Sequence, residues 1–356
     1  MTKKIGRQSL RFENVYIKNW ASAAGPTEKK GCFGSYYDFT IPDALFGENS
    51  FEAAEKRMFT ECVKTLLKKA SLTINKVDCL IGGDLLNQIV TSAYGARDLD
   101  LPFLGIYGAC STMAEAMLLS SMQIDGGFAE NILCGTSSHF GSAERQFRFP
   151  LELGTPKPPT AQNTVTGTGV LLLSDRRLAQ IKEETRIRIT SGTIGKPVDP
   201  GIKDANNMGA AMAPAAASTI AAHLRELQKK PEDYDIILTG DLGTHGSDLL
   251  HILMEKLGFD IRKQHKDCGA MVFAGLPSHY SGGSGCGCCA SSLASYFLSE
   301  MQKEKFKRIL FVATGALLSP TVVQQGETIP GIAHAVSIEL AEKHSENDIS
   351  FQIGSF

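Results

Sequence analysis

Cys110 opens the stretch GACSTMAEAMLLSSM (residues 108–122), a cysteine behind a glycine and an alanine at the head of an apolar run. A thiol at a helix N-terminus faces the positive end of the helix dipole, which lowers its pKa and favours the thiolate. Such a thiolate suits acyl transfer through a thioester. The same place also holds anions, because free backbone N–H groups point outward there. A small buried cysteine also fills a tight turn with no further role. Cys110 is therefore read as nucleophile, pocket residue or packing.

Two aspartates stand in a similar setting. Asp84 lies in GGDLLNQ (82–88) and Asp241 in ILTGDLG (237–243), each just past an apolar strand. Ligands of α/β proteins gather at the carboxyl ends of strands, so Asp84 is a candidate to bind a ligand group, a water or a cation. Capping of the following helix, with help from Asn87, is the structural alternative. For Asp241 the structural reading is preferred. SGGSGCGCCASS (281–292) carries Cys286-x-x-Cys289, with Cys288 between and Cys268 upstream. With no second pair at zinc spacing and with serine, glycine and alanine around it, tight helix packing is the preferred reading. TGTG (166–169) lacks the Gly-Lys-Ser/Thr of a phosphate loop.

The elements that must position these residues occur twice. Residues 49–88 and 206–245 align without gaps at a shift of 157, which pairs Val63 with Ile220, Leu80 with Ile237, Gly83 with Gly240 and Asp84 with Asp241. Each copy reads as a helix, a polar turn and a short buried strand ending in Gly-Asp-Leu. Downstream, GACSTMAEAMLLSSM is answered by GCGCCASSLASYFLSEM (285–301), NILCGTSSH (131–139) by RILFVATGA (308–316), and TGVLLLS (168–174) by IAHAVSIEL (332–340). Strands apolar on both faces belong in a covered parallel or mixed sheet, and a helix apolar all round must be buried. Two sheets are therefore expected to sandwich a shared helical layer. The division expected is 1–185 and 186–356, with 141–164 as a long functional loop.

Composition sets the class. The 356 residues are 43% hydrophobic and 21% charged, with a formal net charge of −2, so nucleic acid is not the expected partner. No 18-residue apolar run and no apolar segment behind the basic N-terminus occur, so neither a membrane span nor a secretory signal is expected. Nine cysteines, an odd number, read as reduced thiols of a cytosol-like compartment.

The duplicated halves, with Gly-Ala-Cys opening a buried helix, resemble the thiolase-like condensing-enzyme fold, a five-layer α-β-α-β-α architecture; ketoacyl-ACP synthase III is similar in layout. AGPTEKKG (24–31), GGDLLNQ (82–88), FLGIYGACST (103–112), DGGFAENILCGTSSH (125–139), AERQFRFP (143–150), MGAAMAPAAA (208–217) and VATGALLSPTVVQQGETIPGIAH (312–334) together resemble the stage V sporulation protein AD family. That resemblance implies a non-enzymatic protein that binds pyridine-2,6-dicarboxylate (dipicolinate) and acts with other stage V sporulation membrane proteins. It implies peripheral association with the forespore or spore inner membrane, and homodimerisation follows from the thiolase-like fold. No cofactor is expected, although Ca2+ accompanies dipicolinate; no calcium loop is visible in the sequence.

The resemblance also selects site residues. Against the ketoacyl synthase template the catalytic histidine falls on Gly240 and two asparagines on Gly243 and near Gly283, so the base and the enolate clamp are missing. His245 lies nearby and reads as a loop residue. A dianionic aromatic ligand calls for cationic donors, and His139, Arg145 and Arg148 in SSHFGSAERQFR are the candidates. Surface pairs Arg145–Glu144 and Arg148–Glu152 are the alternative. Leu133, on the preceding strand, is expected to wall the pocket against a pyridine ring, or to be plain core. The expected ligand set is Asp84, Cys110, Leu133, His139, Arg145 and Arg148. The rival function is an acyltransferase using Cys110 on an acyl-CoA or acyl-carrier thioester.

Overall fold

The computed structural model describes residues 3–148, 154, 156–175 and 186–341. The boundary expected at 185/186 borders residues 176–185, which lie outside the described residues, as does Glu152. The first half contains strands β1 (Lys3–Ile5), β2 (Ser9–Ala24), β3 (Phe39–Thr40), β4 (Cys79–Gly83), β5 (Phe103–Gly105), β6 (Asn131–Ser138), β7 (Asn163–Thr164) and β8 (Gly167–Asp175). Its helices are α1 (Phe51–Lys69), α2 (Val90–Leu99), α3 (Thr112–Asp125) and α4 (Phe140–Phe147). The second half contains β9 (Ile187–Thr193), β10 (Ile236–Thr239), β11 (His265–Asp267), β12 (Gly283–Ser284), β13 (Arg308–Ala316) and β14 (Gly331–Leu340). Its main helices are α5 (Met208–Glu226), α6 (Gly243–Lys256), α7 (Cys268–Val272) and α8 (Cys286–Ser292).

The sequence repeat becomes a topological repeat. The first half runs β5-β4-β6-β8-β2 across its sheet and the second β11-β10-β13-β14-β9. In both, the first three strands across are parallel and the next two pairings antiparallel. The two half-sheets are not separate. The 16-residue β2 pairs with β8 along its C-terminal part and with β9 along its N-terminal part, where its register shifts, so one hydrogen-bonded sheet passes through both halves.

Helices α3 and α8 lie between the half-sheets, packed against strands of both. Ten of the fourteen residues of α3 are buried, as its apolar circumference requires. Helices α1 and α2 cover the outside of the first half-sheet, and α5 and α6 the outside of the second. The layers are thus α-β-α-β-α, the architecture expected. A central apolar cluster joins Met113, Met117, Leu171, Leu293, Phe297 and Phe311, and a separate cluster fills each outer layer.

One expectation is corrected here. The 141–164 segment is not a loop throughout: its first part is helix α4 and its last part strand β7. Phe140, Ala143 and Phe147 recur at helical spacing, and His139 caps the helix by accepting a hydrogen bond from the Gly141 N–H at 3.0 Å.

Candidate functional site

Cys110 sits immediately before α3, with Ser111 as the N-cap. The turn is tightly tied: Ser111 Oγ donates to Gly108 O at 2.7 Å and Thr112 Oγ1 to Ala109 O at 2.7 Å. Ala109 takes a left-handed φ of 50°, a conformation costly for a side-chain residue and concentrated at functional sites. The turn packs against the other half at Gly315, where a Cβ would lie 2.5 Å from Gly108 O. Only glycine in β13 lets the Cys110 turn approach this closely.

The thiol faces the second half. Cys110 Sγ lies 3.9 Å from Ser284 Oγ, which donates to Asp241 Oδ2 at 3.0 Å. Asp241 also accepts from the Gly285 N–H (2.9 Å) and from Thr314 Oγ1 (2.7 Å). Its carboxylate is fully buried. Burial, and then the Asp241 charge and Cys286, push the Cys110 thiol well above its ordinary pKa. The activation expected from the helix dipole is thus overridden, because desolvation and a neighbouring carboxylate both favour the neutral thiol. Burial likewise raises the Asp241 pKa.

The template positions are closely packed. A Cβ on Gly240 would lie 3.1 Å from Thr314 N, and one on Gly283 2.5 Å from Val272 Cγ1. Gly243 has φ 67°, and a Cβ there would lie 2.1 Å from Ser281 O. Gly243 and Gly283 leave no room for a side chain, and Gly240 leaves little. His245 stands half-buried in the first turn of α6 and does not line the pocket at Cys110.

That pocket holds about 500 Å³ of atom-free space, its mouth included, and its floor is Cys110, Ser284 and Thr164. Leu85, Tyr107, Phe147 and Leu318 form apolar walls, and Glu144 and Arg148 supply charge. Of the six expected residues, Cys110 and Arg148 line it. Arg148 Nη2 donates to Gln162 O at 3.2 Å, and its Nε stands 3.5 Å from Glu144 Oε2. Arg145 points elsewhere and pairs with Glu52 at the surface. His139 is buried: Nδ1 accepts from Gly141, so Nε2 carries the proton donated to Ala44 O at 2.8 Å. Burial lowers its pKa, and its ring stacks on Phe51. Leu133 is fully buried in the outer cluster beneath α1, on the sheet face away from the pocket. Asp84 accepts from the N–H groups of Leu86 (2.9 Å) and Ser92 (2.8 Å), so each oxygen holds backbone at the start of α2.

Asp241, Ser284, Glu144 and the apolar walls were not singled out by the sequence as binding residues. The pairing of Asp241 with Asp84 at a shift of 157 was the available signal for one of them. Cys268, Cys286, Cys288 and Cys289 are buried and free; Cys286 Sγ donates to Ser137 O at 3.0 Å, in keeping with packing. No cluster of three or more metal-ligating side chains occurs among the described residues.

Known proteins share this fold. Against solved structures, the chain is similar to cerulenin-bound OleA of Xanthomonas campestris, with a TM-score of 0.59 at 15% identity over 92% of this chain and 97% of that one. The C143A variant of OleA gives 0.59 at 14% identity, over 92% and 98%. These establish the thiolase-like fold. The stage V sporulation protein AD of Bacillus subtilis (strain 168) is 44% identical over 340 residues, covering 95% of this chain and 98% of that protein. Residues 6–339 match the family described as Stage V sporulation protein AD (SpoVAD), and the chain belongs to that family.

Proposed function

We propose that this sporulation protein binds dipicolinate without transforming it, in the pocket at Cys110. The observation that carries the reading is the company Cys110 keeps. Among the described residues no histidine or asparagine lines the pocket; the thiol faces Ser284 and, behind it, Asp241, and burial holds it protonated. The apolar walls suit a planar ring, and the Arg148 guanidinium suits a carboxylate. No helix of the described residues is long and apolar enough to cross a membrane. In this reading the protein reaches the forespore or spore inner membrane through other stage V sporulation membrane proteins, and supports loading of the ligand rather than its synthesis. A Ca2+ ion, where present, arrives with the ligand.

Titration calorimetry with pyridine-2,6-dicarboxylate tests this, with benzene-1,3-dicarboxylate as the control lacking the ring nitrogen. Saturable heat with the first is expected. Incubation with acyl-CoA and a thiol-directed acyl probe tests the rival: release of free CoA with formation of a condensed product would overturn the non-enzymatic reading.

A further inference from the structure

Two buried polar atoms in the pocket have no hydrogen-bond partner among the described residues: Glu144 Oε2, an acceptor, and Arg148 Nη1, a donor. They belong to residues one helical turn apart that both line the cavity, and Glu144 is only 3% exposed. Arg148 Nη2 donates to Gln162 O at 3.2 Å, and its Nε stands 3.5 Å from Glu144 Oε2, an ion-pair distance too long for a good hydrogen bond. Glu144 Oε1 accepts from Thr164 N and Oγ1, both at 3.1 Å, and from Lys157 Nζ at 3.0 Å. An unsatisfied buried donor beside an unsatisfied buried acceptor is costly unless a ligand completes both. A fully ionised carboxylate completes only one, because it accepts and cannot donate. A protonated carboxyl completes both: its carbonyl oxygen accepts from Arg148 Nη1 and its O–H donates to Glu144 Oε2.

Charge points the same way. Glu144 with Arg148 and Lys157 forms a group carrying one net positive charge. The other titratable groups at or beside the cavity are the neutral Cys110 thiol, the Tyr107 phenol, raised by burial, and the Asp241 carboxyl behind Ser284. Against this group a monoanion balances, whereas a dianion leaves one negative charge uncompensated in a poorly solvated place, and the Asp241 carboxyl behind Ser284 makes that second charge costlier still.

Resting on the dipicolinate reading above, we infer that the pocket takes up its dicarboxylate together with one proton, held in the hydrogen bond between a ligand carboxyl and Glu144 Oε2. The free ligand is a dianion at neutral pH, since ordinary carboxyls ionise near pH ~4. Binding therefore consumes a proton from solution, and affinity falls about tenfold for each unit of pH rise once the free ligand is fully ionised.

The test is calorimetry on the full chain with pyridine-2,6-dicarboxylate in metal-depleted phosphate and Tris at pH 7, whose different ionisation enthalpies count the protons exchanged. One proton taken up per ligand is expected, with Kd rising about a hundredfold from pH 6 to pH 8. Glu144→Gln, whose amide donates to an ionised carboxylate, should abolish the uptake and flatten the pH profile. Wild-type binding without proton uptake would overturn the inference and leave the dipicolinate reading standing. Absence of binding at every pH would overturn both. The wild-type proton count decides the matter even if the Gln variant folds poorly.

Discussion

Asp84 and Asp241 occupy the same place in the two halves, each directly after a glycine at the carboxyl end of a strand, yet they do different work. Asp84 turns both oxygens to backbone N–H groups of its own half and starts α2. Asp241 reaches Ser284, Gly285 and Thr314, residues of β12, the turn into α8, and β13, and borders the thiol of the opposite half. In the first half the strand end closes a local turn. In the second it joins the elements that floor the pocket. A duplicated scaffold thus supplies two equivalent carboxylates, and placing Cys110 before α3, opposite Asp241, makes one of them part of a site.

The largest effect should separate these two aspartates. Each buried donor left unsatisfied costs roughly 1–3 kcal/mol, so, at one cost per donor near the low end, Asp241→Ala, which strands three, should destabilise by about 4 kcal/mol and Asp84→Ala, which strands two, by about 3. Urea unfolding measures both. Equal losses would erase the distinction drawn above.

Where the halves do the same work, losses should match. Leu133 on β6 and Leu310 on β13 hold equivalent places, pairing with Leu80 and Ile237, and each is fully buried in its own outer-layer cluster. Leu133→Ala and Leu310→Ala should each cost about 3 kcal/mol, the usual price of an emptied leucine site. Neither should change ligand affinity. A selective loss of affinity in Leu133→Ala would return that residue to the pocket.

The frame of the molecule was open to reading because it rests on local pattern. RILFVATGA runs as one strand over Arg308–Ala316, and the apolar circumference of α3 placed it between the half-sheets. The site was less open because it depends on contacts distant in the chain. Asp241 meets Ser284 across 43 residues and Thr314 across 73, and no spacing rule joins them. Arg145 and Arg148 look alike in ERQFR, but their places on and just after α4 send one to the surface and the other to the pocket. The sign of the Cys110 shift was lost for the same reason: the helix end is visible in the sequence, whereas burial and the facing carboxylate are not.

Those two arginines give the next test. Arg148→Ala removes a charge-assisted donor from the pocket, commonly about 1.5–3 kcal/mol, so affinity for pyridine-2,6-dicarboxylate should fall at least tenfold. Arg145→Ala breaks a half-exposed pair with Glu52 and should change affinity by less than about twofold. If Arg145 proved the larger of the two, the ligand would lie in the open depression beside Glu52 and Gln146 rather than at Cys110.

The smallest effects concern pH, where the halves again differ. Buried acids of the first half, Glu28 with its pKa pushed up to about 7 and Glu55 raised likewise by burial, stay protonated in the fold after the unfolded chain has released its protons. Their contribution to stability is full at low pH and is lost as pH rises from about 4.5 through those raised values. Buried histidines of the second half, His223 and His265, are lowered by burial to about 3. They are neutral in the fold while the unfolded chain takes up protons, so their contribution is full above about 6.5 and is lost as pH falls towards 3. Asp267, raised to about 6 in the second half, offsets them only between about pH 4 and 6. The two sets oppose each other between about pH 4.5 and 6.5, so the unopposed losses should lie above pH 6.5, through the first half, and below about pH 4, through the second, by at most about 1.4 kcal/mol per pH unit for each group. Denaturant melts from pH 3 to 8.5 measure both limbs. Glu55→Gln keeps acceptors and donors for Ser137 and Ser142 but cannot titrate, so it should flatten the alkaline limb and leave the acid limb unchanged. An alkaline limb that persists undiminished in Glu55→Gln would mean that Glu55 is already ionised in the fold, its charge held by the two serine hydroxyls.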